Sequence, residues 1–119
     1  MTVPAALQYF RALGAPLRLR VTTDAEGFPV IPGRYGQIEW FDRRQLAVYS
    51  DRPRLFLKLW SIPGVRRHQT GDQEMRAIFP PEALEQVAAV IRAKRWGGDG
   101  RGRPENLVPD PGQTGTSRG

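Results

Sequence analysis

The chain has 119 residues and a mass of 13.4 kDa, room for one domain at roughly 100–200 residues each. It has no cysteine and a single histidine, His68, which excludes disulfides, thiol nucleophiles, iron–sulfur ligation and thiolate zinc, and no metal or cofactor is expected. Lys and Arg number 18 against 12 Asp and Glu, a net charge of +6, and the excess falls before Gly97, so it belongs to a folded surface rather than to a basic tail.

Val3 to Leu13 places Val3, Ala6, Leu7, Phe10 and Leu13 at helical spacing, with Gly14 as the stop. Leu17 to Thr23 alternates, with Leu17, Leu19 and Val21 facing inward and Arg18 and Arg20 outward, the pattern of a half-buried strand. Asp24 to Gly27 reads as a turn, and the two prolines between Phe28 and Gly33 mark an edge or an irregular extended stretch. Tyr35 to Phe41 and Leu46 to Tyr49 are strands joined through Asp42 to Gln45.

Asp51 is the expected N-cap of a helix over Arg52 to Ile62 with Pro53 in its first turn. Val65 to Thr70 and Gln73 to Phe79 form a hairpin around Gly71-Asp72, since glycine at the first central position suits a type II′ turn. The last helix starts at Pro80-Pro81, runs an apolar stripe of Leu84, Val87, Ala88 and Ile91, and finishes with Arg92, Lys94 and Arg95 at its negative end. From Gly97 onward glycine and proline dominate, and this stretch reads as a disordered tail over 97–119. The expected fold is therefore α+β over residues 1–96: a small antiparallel sheet of about five strands, element order α-β-β-β-α-β-β-α, with helices packed on one side.

Chemistry is sparse. In the expected hairpin register Arg67 faces Arg76, so the two guanidinium groups either form a fork for a phosphate or are neutralised by Glu74. His68 then lies on the core side beside Met75. No nucleophile, base and orienting acid converge, and the glycine spacings match no phosphate loop, so no catalysis is expected. The stretch from Gly33 to Trp40 has Gln37 where an RNA-recognition-motif strand needs its second stacking aromatic, so that comparison fails.

Two interaction surfaces remain. An Arg-lined sheet face, with Arg18, Arg20, Arg66, Arg67 and Arg76 for phosphates and Tyr35 as a stacking platform, suits a nucleic acid, DNA or RNA. Alternatively, the apolar helix 52–62 leaves Leu57 and Trp60, rimmed by Arg52, Arg54 and Lys58, for an acidic protein partner or a second copy of the chain. With no run of 18 apolar residues and no leader pattern at Met1 to Pro4, the expected setting is soluble and cytoplasmic, without a membrane partner. The expected role is a small basic binding or regulatory module.

Overall fold

Thr2 opens the first helix, α1 (Val3–Gly14), by accepting the Ala5 N–H on its hydroxyl at 3.2 Å, an N-cap that satisfies one of the donors left free at a helix start. Ala6 and Phe10 turn their apolar stripe into the core. A computed structural model describes residues 2–96 of the chain; the expected tail lies outside the described residues.

Gly14 does not end the helical path. A 3-10 turn (Ala15–Leu17) continues it, and the chain leaves through Arg18, whose φ of 59° is left-handed. The Leu19 N–H bonds the Gly14 carbonyl and the Arg18 N–H bonds the Ala15 carbonyl. This is a Schellman closure, which satisfies two otherwise unpaired carbonyls. It overrides the expected strand from Leu17: only Thr22–Thr23 pair as β1, and Arg18 and Arg20 are not strand residues.

The other strands are β2 (Pro29–Pro32), β3 (Gln37–Trp40), β4 (Leu46–Ser50), β5 (Arg66–Thr70) and β6 (Met75–Phe79). They form one antiparallel sheet in the order β1-β2-β3-β4-β6-β5. The fold is the expected α+β arrangement, and the sixth strand is the proline-bearing stretch, whose Pro29–Pro32 pairs on both sides. Ile31, Ile38, Val48 and Ala77 line up across four strands. Phe10, Leu59, Val87 and Ile91 from the helices join them in one apolar cluster. Phe79, fully buried there, is a position where truncation to alanine costs about 3–5 kcal/mol.

The β5–β6 hairpin turns one residue later than expected. Thr70 pairs with Met75 and Gly71 donates to the Glu74 carbonyl, which puts Asp72 and Gln73 at the tip. Gly71 is not among the positive-φ residues, so the type II′ turn that motivated the expected register does not form. A register irregularity between Arg67 and Gln69 then pairs Gln69 with Arg76 and Arg67 with Ala77. Arg67 and Arg76 lie on opposite faces and make no fork, because a one-residue slip reverses side-chain direction. His68 is exposed, edge-on to Phe41 at 5.3 Å, rather than in the core.

Between β4 and β5 the expected eleven-residue helix is a 3-10 turn (Pro53–Leu55) followed by a short α2 (Phe56–Trp60). Arg52, not Asp51, occupies its N-cap position, and the Asp51 carboxylate instead lies 3.7 Å from the Arg52 Nε. Phe56 and Leu59 are buried while Leu57 is 74% exposed, so the element is one-sided rather than apolar all round.

The last helix, α3 (Leu84–Ile91), follows a 3-10 turn (Pro81–Ala83) and buries Leu84, Val87, Ala88 and Ile91, the expected stripe. It stops four residues early. Lys94 donates its N–H to the Pro32 carbonyl and accepts one from Arg20, and Gly33 and Leu19 bridge to Ala93 and Arg95. These bonds satisfy backbone groups beside β2 that a continued helix would leave unpaired.

Candidate anion-binding site

Arg34 and Tyr35 form the two-residue tip of the β2–β3 hairpin, with a glycine on each side. Gly33 donates to the Gly36 carbonyl at 2.8 Å, and both glycines are required by close approach. A Cβ on Gly36 would stand 2.1 Å from the Tyr49 carbonyl oxygen, and one on Gly33 would stand 2.8 Å from that of Ile91. The tip caps α3. The N–H groups of Tyr35 and Arg34 donate to the carbonyls of Ile91 and Arg92 at 3.0 and 3.1 Å, two acceptors with no partner inside the helix.

Ser50 fixes the tip from the other side. Fully buried at the end of β4, its hydroxyl donates to the Tyr35 carbonyl at 2.7 Å and accepts the Arg52 N–H at 3.2 Å. Hairpin tip, helix end and the start of the segment leading to α2 are thereby held at one corner.

Four guanidinium groups meet there. Those of Arg54, Arg34, Arg52 and Arg92 lie 5.4, 5.5, 5.7 and 5.9 Å from the centre of the Tyr35 ring. All four side chains are exposed and Tyr35 is half-buried. Only Asp51, beside Arg52, forms an ion pair with any of them among the described residues. The ring face and the partial negative charge at the end of α3 attract these cations. Against this attraction the four like charges repel one another, an interaction that salt screens beyond a Debye length of roughly 10 Å.

Arg92 reaches the ring through a second Schellman closure. Its N–H bonds the Ala89 carbonyl, the Ala93 N–H bonds the Ala88 carbonyl, and Arg92 itself is left-handed with φ of 55°. Glycine or asparagine is the usual residue there.

The remaining sequence-derived candidates separate. Arg76 lies on the sheet face away from the helices, where its guanidinium meets Glu39 at 3.0 and 3.4 Å, Gln69 at 3.3 Å and the Tyr49 ring at 5.2 Å. It is largely neutralised. Partial burial, followed by the Glu74 carboxylate as hydrogen-bond partner and charge, pushes the Tyr49 phenol above its usual range. Arg66 hydrogen-bonds Gln45, and Arg67 lies 3.9 Å above the Trp60 ring. Arg20 stacks on Trp96 at 4.8 Å. An Arg-lined face with Tyr35 at its centre does not form from these residues.

Arg52 and Arg54, expected to rim a protein interface with Leu57, Lys58 and Trp60, face Tyr35 instead. Arg34 and Arg92 were missed as site residues. The visible signal was the pair of glycines around Arg34-Tyr35; the rest of the cluster is assembled by tertiary contacts. No three His, Asp or Glu side chains converge among the described residues, and no helix there is long and apolar enough to cross a membrane. No family model, curated protein or solved structure matches the chain.

Proposed function

We propose that this chain is a small non-catalytic binding module that engages the phosphate backbone of a nucleic acid at the arginine cluster around Tyr35. The observation that carries the reading is the convergence of four guanidinium groups on one ring, with a single carboxylate among them. Such an arrangement opposes folding by repulsion, and a polyanion relieves it. Arginine binds phosphate bidentately and stays protonated, so the corner recognises rather than transforms.

Paired variants test this. Arg34→Ala with Arg54→Ala removes two charges at the cluster, whereas Arg43→Ala with Arg44→Ala removes two from the exposed β3–β4 turn. Anisotropy of a labelled oligonucleotide should show a large affinity loss for the first pair and a small one for the second. Equal losses would mean that net charge alone draws the ligand, and would overturn the assignment.

A second reading rests on Leu57, which projects from α2 at 74% exposure beside exposed Lys58. A protein partner seated there would be lost with Leu57→Asp and would respond little to salt.

A further inference from the structure

We propose a second ligand site, for a nucleotide, in the cleft between the end of α1 and Trp96. The cleft holds about 320 Å³ and is lined by Arg11, Ala15, Arg18, Leu19, Val21 and Trp96, near the lower end of the volumes that take small ligands, roughly 300–1,000 Å³. It shares no residue with the Tyr35 cluster, so it stands or falls separately.

Its walls divide by chemistry. Ala15, Leu19 and Val21 are apolar, Arg11 and Arg18 are cationic, and no carboxylate lines it. Trp96 is a large aromatic 56% exposed on an anchored backbone: its main-chain N–H donates to the Arg18 carbonyl at 2.9 Å, and Leu19 bridges to Arg95 beside it. Arg20, outside the lining, stacks on the indole at 4.8 Å, and Trp96 itself is one wall of the cleft. An aromatic face beside two guanidinium groups suits a planar base that carries a phosphate.

Arg18 supplies an independent sign. Of the described non-glycine residues only it and Arg92 have positive φ, and backbone strain held by the surrounding structure concentrates at functional positions. Arg18 takes the place that glycine fills in most such helix ends, and it is one of the residues lining the cleft.

The ligand chemistry, base plus phosphate, belongs equally to a free nucleotide and to one unit of a strand. Tryptophan fluorescence of the full chain should therefore be followed with adenosine monophosphate, adenosine, inorganic phosphate and a short single-stranded oligoadenylate. Saturable quenching by the monophosphate, with adenosine and phosphate each weaker by about tenfold or more for the lost charged or stacking contact, would identify a free nucleotide. Saturation by the oligonucleotide alone would identify a strand.

Either signal should vanish in Trp96→Phe, which keeps Trp40 and Trp60. Arg18→Gly should weaken binding by about tenfold without lowering the unfolding midpoint, since glycine suits its φ, whereas Arg44→Gly should bind as the wild type. The Arg34→Ala, Arg54→Ala chain should still bind the mononucleotide, which separates this site from the Tyr35 cluster. Absence of saturable quenching by both nucleotide ligands, or undiminished binding in Arg18→Gly, would overturn the proposal.

Discussion

Arg18 and Arg92 hold the same position in two separate helix ends: each is the left-handed residue of a Schellman closure, Arg92 with its guanidinium 5.9 Å from the Tyr35 ring centre and Arg18 in the lining of the cleft that Trp96 also lines. The Arg18 N–H meets the Ala15 carbonyl and the Leu19 N–H that of Gly14; at α3 the pairs are Arg92 with Ala89 and Ala93 with Ala88. A left-handed non-glycine residue costs about 1–2 kcal/mol. Two such costs borne by arginines are understandable if the side chains are used.

Arg92→Gly should accordingly raise stability by about 1 kcal/mol while weakening oligonucleotide binding at Tyr35. Urea unfolding and anisotropy on the same preparation read the two effects. A variant both less stable and weaker in binding would mean that the arginine side chain supports the fold.

Gly36→Ala should destabilise the chain by at least about 1–3 kcal/mol, the usual range for overpacking, because its Cβ would meet the Tyr49 carbonyl oxygen at 2.1 Å. That oxygen is backbone in a paired strand and has no rotamer to change. A wild-type denaturation midpoint would show that the hairpin tip is not clamped as described.

Ser50→Ala removes a buried hydroxyl that both donates to Tyr35 and accepts from Arg52. The expected loss is about 1–3 kcal/mol from the groups left unpaired. Amide exchange at Arg52, whose N–H bonds that hydroxyl, should quicken along with it, and unchanged exchange there would argue against the link.

Tyr49 and Tyr9 should titrate above their ordinary value of 10.0. At Tyr49 the causes are partial burial and then Glu74; at Tyr9 they are burial and then the charge of Glu82. A raised folded-state value favours the neutral phenol, so this contribution to stability is fully present below the unfolded value and is lost as pH rises through the folded one. Tyrosinate absorbance in wild type, Tyr49→Phe and Tyr9→Phe checks it: each variant should lose a component that titrates late.

The core was legible because its signals are local. The helical stripe Leu84, Val87, Ala88 and Ile91 is buried as its spacing requires, and the alternation of Ile38 and Trp40 against Gln37 and Glu39 follows the pleat. Leu17 to Thr23 alternates too, but the local closure of the helix end overrode that pattern. The Gly14 carbonyl accepts the Leu19 N–H, and Leu19 is buried in the core without belonging to a strand. In the hairpin Gly71 invited a turn one residue early, and the irregularity near His68 left no mark in hydrophobic period. The site was hidden for a stronger reason. Arg34, Arg52, Arg54 and Arg92 come from three segments that meet only because a hairpin tip caps a helix, a relation that no periodicity encodes.

The most direct test of the Tyr35 cluster is the salt dependence of single-stranded oligonucleotide binding between about 50 and 200 mM salt. At roughly −0.7 in the log–log slope per phosphate contact on a single strand, four arginines predict a contribution near −3, and Arg54→Ala should make the slope shallower by about 0.7. No saturable binding at the lower salt, or an identical slope without Arg54, would contradict the assignment.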